Sequence, residues 1–416
     1  MQPPLQRTLR SPRGKKQNQF RISNSSMPSI GRGALQCALN HCERAIASVA
    51  IPKPVIGILL LATFLAACAA PSQTPVAGDE TGAAEETADA TEAAPEAQGS
   101  NDTAEPAETL ESLDTLPTLS VQKAQELSQL GWIAFTASEG GRRDVFLIRP
   151  DGSDEYTLTG GLANTFAEAP LWSPDGSLIA FDGLPNSDVL RDVYLVTVDA
   201  DPEQWQFTTQ PGFDCYPSFS PDGKYIVYMK EHDKNRDLFI AEVGRDGEEG
   251  KDILQLTDAP EHDYEPNWSP DGDKIAFTSR RDGNSEIYVM DTDGSNVKRL
   301  TESPGLDWRP VYSPDGEWIV FESWRTGKGD LYLMRADGSG LRQLTDSPLE
   351  DGNPTWSPDG KYIVFHSQRT GNYQLFILEV AHPENIWHLA TSSVRALLPV
   401  WSPITDIPGA GLAAAE

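Results

Sequence analysis

A tight-turn motif recurs at nearly constant spacing through the C-terminal part of the chain. It reads W-S-P-D-G at Trp172–Gly176, Trp268–Gly272 and Trp356–Gly360, and Phe219 and Tyr312 replace the Trp in two further copies. A last, shortened copy ends at Pro403. The motif prolines stand at 174, 221, 270, 314, 358 and 403, so the intervals are 47, 49, 44, 44 and 45 residues. Such a period indicates a repeat protein, and each copy should be one supersecondary unit.

Each repeat predicts four short strands. The apolar pairs Ile275/Phe277, Ile319/Phe321 and Ile363/Phe365 alternate with period two after the turn motif, as a half-buried strand does. Within the turn, Pro presets φ, Asp bonds the local backbone and Gly ends the turn freely. Four antiparallel strands about every 45 residues are typical of a propeller blade. The sequence therefore predicts an all-β fold, a β-propeller with six four-stranded blades.

The two ends of the repeat region look like halves of one blade. Residues 131–159 contain segments for strands two, three and four but no W-S-P-D-G, whereas residues 398–402 supply a first strand and then stop. We expect the C-terminal strand to join the N-terminal unit and close the ring, which removes exposed sheet edges. The propeller then spans residues 131–403, followed by a tail, 404–416.

The region before the propeller has the composition of an export signal and a linker. Val55–Ala67 is an uncharged run, too short to span a bilayer but suited to a signal peptide. Leu65-Ala-Ala-Cys68 resembles the lipobox of bacterial lipoproteins, which implies lipidation of Cys68 and removal of residues 1–67. The true start is open between Met1 and Met27. An ordinary signal peptide with a chance cysteine is the alternative.

Residues 68–118 are rich in Ala, Glu, Pro and Thr and contain no Lys or Arg. Such one-signed, apolar-poor composition predicts a disordered tether. Residues 119–130 are expected to form a short helix on the domain. From Cys68 onward the chain has 24 basic and 61 acidic residues, a formal charge of −37. A surface of this charge disfavours nucleic acid and anionic lipid headgroups as direct ligands.

The repeats resemble those of TolB-like six-bladed propellers over residues 131–403. The resemblance implies an exported, non-enzymatic binding scaffold, although the additional N-terminal domain of TolB has no counterpart here. A role in a Tol–Pal system therefore stays open. Related propellers also precede the catalytic domain of some serine peptidases, but no G-x-S-x-G motif follows here, which argues against a peptidase.

The loops before strand one and between strands two and three should share one face. Four D-x-x-P positions lie at the first of these places: Asp214, Asp263, Asp307 and Asp351. Ala167 and Ala396 are their equivalents in the other two blades. This predicts an acidic crescent at the channel mouth with one neutral gap. The loops between strands two and three place an Arg beside three of the Asp residues, at Arg281, Arg325 and Arg369.

Two interpretations of this face remain open. The Asp residues bind a cation or a basic peptide, with one calcium ion in the channel as a weaker candidate, or they cap their loops and pair with Arg to join adjacent blades. Trp308 and Trp324 belong to no repeat position and are either exposed anchors or loop filling. His232, His262 and His366 lie near the same face, so a transition-metal site is a further alternative.

The sequence as a whole predicts a lipid-anchored protein of the cell envelope, facing the periplasm or the exterior. We expect it to be a monomer without cofactor or enzymatic activity that binds an envelope protein or peptide. The alternative from another functional class is a metal-dependent, carbohydrate-active or ligand-binding propeller that uses the channel mouth.

Overall fold

The computed structural model describes residues 116–139, 142–160, 162, 165–185, 191–209, 212–232, 234–244, 250–393 and 395–405. The predictions for the signal region, Cys68 and residues 68–115 lie outside these residues, as does most of the C-terminal tail. Within the described residues, no helix has the length and apolar character needed to cross a membrane.

Six four-stranded antiparallel sheets make up the described domain. Blade 1 contains β1 (Ile133–Glu139), β2 (Arg142–Ile148) and β3 (Tyr156–Thr157). Blade 2 contains β4 (Thr165–Trp172), β5 (Leu178–Pro185), β6 (Asp192–Thr197) and β7 (Gln204–Gln206). Blade 3 contains β8 (Asp214–Phe219), β9 (Tyr225–His232), β10 (Asn235–Glu242) and β11 (Lys251–Gln255).

The second half of the domain continues the same order. Blade 4 contains β12 (Asp263–Trp268), β13 (Lys274–Ser279), β14 (Glu286–Asp291) and β15 (Lys298–Arg299). Blade 5 contains β16 (Asp307–Tyr312), β17 (Trp318–Ser323), β18 (Asp330–Arg335) and β19 (Arg342–Gln343). Blade 6 contains β20 (Asp351–Trp356), β21 (Tyr362–Ser367), β22 (Gln374–Glu379) and β23 (His382–Leu389).

The last strand, β24 (Ala396–Trp401), completes blade 1 by pairing antiparallel with β1. Ile133 lies opposite Trp401, and the Trp132 amide donates to the Ser402 hydroxyl over 3.1 Å. The prediction that the C-terminal strand closes the ring on the N-terminal unit is therefore confirmed, together with the six-bladed all-β fold.

Apolar residues between neighbouring blades hold the ring together. The described part contains six clusters of buried apolar side chains, and each cluster joins two adjacent blades. The aromatic residue of the I-x-F pattern is fully buried in every blade: Phe135, Phe181, Tyr228, Phe277, Phe321 and Phe365. A blade therefore buries its apolar faces only against its neighbours, which explains why the ring has to close.

The turn motif uses each of its residues. In the copy that starts at Trp172, the Ser173 hydroxyl donates to the Asp175 carboxylate over 2.7 Å, and Gly176 adopts φ +71°. Two of the three motif tryptophans donate across a blade boundary, and Trp172 Nε1 donates to the Val400 carbonyl in blade 1. Trp356 Nε1 likewise donates to the Val311 carbonyl in blade 5. These side chains serve the framework.

One short helix, α1 (Val121–Leu127), lies within the segment expected to be helical. Its Leu127 is fully buried in the cluster that joins blades 6 and 1. The Tyr362 hydroxyl donates to Glu126 over 2.6 Å and accepts from Lys123 Nζ over 2.7 Å. The helix is therefore attached beside the closing strand, on the face of the W-S-P-D-G turns.

Candidate binding face at the channel mouth

The Asp residues of the D-x-x-P motifs each begin an innermost strand. They open β8, β12, β16 and β20, while Ala167 and Ala396 take the equivalent places in β4 and β24. All four Asp residues are fully buried. The predicted crescent is therefore present in position, but its carboxylates do not form part of the accessible surface.

Three of the buried carboxylates are held by arginine within their own blade. Arg281 Nη2 lies 2.8 Å from Asp263, Arg369 Nη2 lies 2.8 Å from Asp351, and Arg325 Nη2 lies 3.0 Å from Asp307. A serine at the end of strand two accepts from each Arg Nε, over 2.8, 2.7 and 3.0 Å, from Ser279, Ser323 and Ser367. The result is a repeated Asp–Ser–Arg triad with an S-x-R sequence.

The same arginines lie over aromatic rings of their blade. The Arg325 guanidinium is 4.4 Å from the Tyr332 ring centroid, and the Arg369 guanidinium is 5.0 Å from that of Phe376. Hydrogen bonds and ring stacking both engage each guanidinium within its own blade. The triads therefore stabilise single blades rather than joining adjacent ones. This geometry favours the structural interpretation of these residues over cation or peptide binding.

The three histidines do not converge on one point of the described structure. His232 Nε2 lies 2.9 Å from Asp237 Oδ2, and His262 Nδ1 lies 3.1 Å from Asn235 Oδ1. His366 belongs to blade 6, where its Nε2 lies 3.5 Å from Glu350. Among the described residues, no group of three or more His, Cys, Asp or Glu side chains has a geometry suited to a metal ion.

The two loop tryptophans have different surroundings. Trp324 Nε1 donates to Glu322 Oε1 over 2.8 Å, so its indole is oriented by an acid at the channel. The Trp308 Nε1 group is buried without a hydrogen-bond partner in the structure. Both side chains are half-buried. They are therefore intermediate between the two roles considered from the sequence, an exposed anchor and a residue that only fills its loop.

Sequence reasoning missed a ring of residues at the third position of the four D-x-x-P motifs and of their two A-x-x-P equivalents. All six adopt a left-handed backbone with φ between 49° and 55°: Ala169, Tyr216, Glu265, Arg309, Asn353 and Leu398. In each blade the pairing of strands one and two shifts register across this residue, as in a β-bulge. We refer to these six residues as the bulge ring.

The bulge ring surrounds the central channel. Its members, the prolines that follow them and the next residues line a cavity of about 120 Å³. Non-glycine residues rarely adopt positive φ, and the strain usually has a structural or functional reason. Here the bulges direct six chemically different residues of the innermost strands to one cavity. Their variety at a fixed repeat position is visible in the sequence, but their left-handed backbone is not.

Strand two of one blade supports the bulge of the next blade. The Asp182 carboxylate accepts from the Tyr216 amide over 3.0 Å, and Glu322 accepts from the Asn353 amide over 3.3 Å. Thr278 Oγ1 accepts from the Arg309 amide over 3.2 Å. These polar residues follow the aromatic residue of the I-x-F pattern, so the position after the buried aromatic carries the link between bulges.

Two of these supporting acids titrate near neutrality. Burial raises the pKa of Asp182 to about 7, opposed by Arg191 and the Tyr216 amide. Burial also raises the pKa of Glu322 to about 7, although Arg309 opposes it. His366, in the same position of blade 6, has a pKa below its ordinary value because burial disfavours its charged form. The layer of polar residues that supports the bulge ring is thus less charged than its residue types suggest.

Comparison with known proteins identifies the fold. Residues 301–407, which cover blades 5 and 6 and the closing strand, match the family described as the TolB beta propeller domain. No curated protein matches the chain in sequence. The crystal structure of TolB from Acinetobacter baumannii is similar with a TM-score of 0.55 and 23% identity, over 66% of this chain and 67% of that one.

More distant structures share the same architecture. Hydrazine synthase from Kuenenia stuttgartiensis has a TM-score of 0.52 and 14% identity, over 67% of this chain and 48% of that one. A nidogen/laminin complex has a TM-score of 0.51 and 11% identity, over 65% of this chain and 97% of that one. Such identities establish the fold alone, since this fold carries many functions. Together with the six blades, the matches show that the described domain is a six-bladed β-propeller similar in fold to TolB, with the family match on residues 301–407.

Proposed function

We propose that this chain is an exported, lipid-anchored, non-enzymatic scaffold that binds a segment of a partner protein at the channel mouth. The observation that carries the proposal is the bulge ring. The buried aromatics repeat in every blade and the Asp–Ser–Arg triads in three, but the six residues of the bulge ring differ in size, charge and polarity. In a repeat protein, positions that serve the framework repeat, so this departure favours recognition of an asymmetric ligand.

The shape of the site supports a protein ligand. A cavity of about 120 Å³ is smaller than typical small-molecule pockets, whereas it would admit one or two side chains of a segment lying across the face. One structure of similar fold is a complex of nidogen with laminin, so this architecture does serve in protein assemblies. The resemblance to TolB-like propellers points the same way and implies a location in the cell envelope.

Site-specific photo-crosslinking tests the binding site in the full-length protein. A photoreactive phenylalanine analogue replaces Tyr216, which is aromatic and already tolerates the left-handed backbone. The matched control carries the analogue at Leu341, an exposed apolar residue of blade 5. We expect discrete cross-linked envelope proteins from position 216 that are absent from position 341. Identical products from both positions, or none from position 216, would contradict the proposal.

Lipid anchoring rests on the sequence around Cys68. Two or more acyl chains on this cysteine would give stable membrane attachment. We expect the wild-type protein to incorporate radiolabelled palmitate and to sediment with membranes. The Cys68→Ser protein should do neither, and a Cys37→Ser protein is the matched control. Continued membrane association of the Cys68→Ser protein would refute the anchor without affecting the binding proposal.

A further inference from the structure

The channel-mouth face has a basic half that the repeat does not require. Strand three of each blade has an acidic or amide residue near its start. In blades 1, 2 and 3 the residue just before it is an arginine: Arg143, Arg191 and Arg236. The same position holds Ser285, Gly329 and Tyr373 in blades 4, 5 and 6. This half includes blades 1 and 2, where Ala396 and Ala167 replace the buried Asp, so Arg143 and Arg191 have no triad Asp in their own blades.

Two phenylalanines lie among these arginines. The Arg143 guanidinium is 5.1 Å from the Phe166 ring centroid. The guanidiniums of Arg191 and Arg236 are 5.6 Å and 5.5 Å from the ring centroid of Phe213. Arg143, Phe166, Arg191, Phe213 and Arg236 therefore alternate across three neighbouring blades, and we call this group the arginine–phenylalanine row. Its arginine side chains retain 34%, 28% and 25% of their accessible surface.

Among the described residues, the acids that contact the row compensate its charge only in part. Glu168 is shared, because its two carboxylate oxygens contact Arg143 and Arg191, the latter over 2.9 Å. Glu231 contacts Arg236 over 3.2 Å but leaves 42% of its own surface exposed. Burial and the nearby cations Arg395 and Arg191 lower the pKa of Arg143. Placing guanidiniums together in this way costs electrostatic free energy unless an anion joins them.

Glu168 also shows what kind of anion fits. Its carboxylate lies between arginines of two adjacent blades, so the spacing of the blades allows one carboxylate to contact two guanidiniums. Arg191 and Arg236, both over Phe213, offer the next such interval along the row. A carboxylate there would gain charge-assisted hydrogen bonds, and an apolar neighbour could pack on the half-buried phenylalanines.

We infer that the arginine–phenylalanine row binds an acidic protein segment in which carboxylate and apolar side chains alternate. This inference rests on the proposed function and specifies the chemistry of the partner. It reverses the sign expected from the Asp crescent, because those carboxylates are buried in triads while the arginines of blades 1 to 3 reach the surface. Anionic membranes and nucleic acids are less suited, because each presents a long array of negative charge to a chain of formal charge −29, whereas a short segment with a few carboxylates interacts mainly with the nearby arginines.

Fluorescence anisotropy with labelled peptides tests the inference on the full-length protein in detergent. The probes are three short peptides in which Leu alternates with Glu, Gln or Lys. We expect the Glu peptide to bind more tightly than the other two and its affinity to fall with added salt. The R191Q/R236Q protein should bind the Glu peptide about tenfold or more weakly. The matched control R342Q/K361Q removes two exposed cations from outside the row and should leave the affinity unchanged.

Several outcomes would overturn the inference. Equal binding of the Glu peptide by R191Q/R236Q, or a preference for the Lys peptide, would exclude the row as an acidic-segment site. If the R191Q/R236Q protein loses binding to phosphatidylglycerol vesicles but keeps its affinity for the Glu peptide, the row is a lipid-binding site instead. If cross-linking at position 216 persists in R191Q/R236Q with the same partner, the inference fails while the proposed function stands. Unfolding curves of both double variants distinguish a folding defect from a binding defect.

Discussion

Arg309 and Glu265 occupy the same repeat position in adjacent blades and form an ion pair at the channel, with Nε and Oε1 2.8 Å apart. The Arg309 amide also donates to Glu265 Oε2 over 3.0 Å, and Glu322 approaches the guanidinium from the other side at 4.0 Å. Burial lowers the pKa of Arg309, but the two carboxylates more than offset this and hold it above its ordinary value. One cation thus joins blades 4 and 5 around the channel.

Replacing this cation should destabilise the ring. We expect Arg309→Met to lower the free energy of unfolding by about 3–5 kcal/mol, because it leaves the buried Glu265 without its partner. Urea unfolding measures the effect, with Arg342→Met on the outer strand β19 as the control. Equal effects of the two substitutions at neutral pH would contradict the role of the pair.

Asp182 should make stability fall as the pH rises. Its pKa is about 7 in the folded protein and about 3.9 in an unfolded chain. Between these values the folded state retains a proton that the unfolded state has released, so stability decreases with pH and levels off above about pH 7. Asp182→Asn keeps an oxygen for the Tyr216 amide and removes this dependence. We expect it to be more stable than the wild type at pH 8, by about 1–3 kcal/mol, and much less so at pH 5.

A second substitution gives the opposite sign and serves as the control for that experiment. Hydrogen bonds from Ser269 and from the backbone lower the pKa of Asp271. This carboxylate therefore adds stability above its unfolded pKa, and that stability is lost as the pH falls through the folded value. Asp271→Asn should be less stable than the wild type at neutral pH and converge with it in acid. Parallel pH profiles for the two variants would refute the assignment of Asp182.

The three triads should differ in strength according to burial. The Arg369 side chain is 4% exposed, whereas that of Arg281 is 21% exposed. Asp351→Ala strands a buried cation and should cost about 3–5 kcal/mol of unfolding free energy, and Asp263→Ala should cost about 1–3 kcal/mol. Thermal and urea unfolding compare them. If partner binding disappears in Asp263→Ala while its stability is nearly unchanged, the original interpretation of the crescent as a binding site regains support.

Closure by β24 can be tested by truncation. A chain that ends at Arg395 lacks the strand that covers the edge of β1, and it also loses the bond from Trp401 Nε1 to the Leu130 carbonyl at 2.7 Å. We expect it to aggregate, because an uncovered edge pairs with other chains. A chain that ends at Thr405 keeps β24 and should remain soluble. Soluble, monomeric behaviour of the shorter chain would contradict the role assigned to closure.

The sequence was sufficient for the fold because its determinants are local and repeated. Short-range structure is specified by strand alternation such as Ile275/Phe277, by the S-P-D-G turns and by the split terminal units. Together these features are compatible only with a closed ring. The acid–arginine neighbours, such as Asp263 and Arg281, were also visible as repeats. Their burial was not, because it depends on rings such as Tyr288 that stack on the guanidinium from another strand.

The bulge ring could not be read from residue types. Nothing in Ala, Tyr, Glu, Arg, Asn or Leu predicts a left-handed backbone, and the conformation depends on partners in the neighbouring blade, as Tyr216 depends on Asp182. The arginine–phenylalanine row escaped for a similar reason. Arg143 belongs to blade 1 and Phe166 to blade 2, and they become neighbours only when adjacent blades pack together.

Closure of the ring also determines when the protein can become native. The Trp132 amide meets the Ser402 hydroxyl across 270 positions of sequence, so blade 1 is complete only after nearly the entire domain has been synthesised. Contacts of such separation require loop closure over the whole chain and slow the folding of β-rich domains. Until then β1 presents an unpaired edge. During biogenesis the chain therefore has an interval in which a chaperone that shields strand edges would have its largest effect, and that interval ends with the arrival of residue 402.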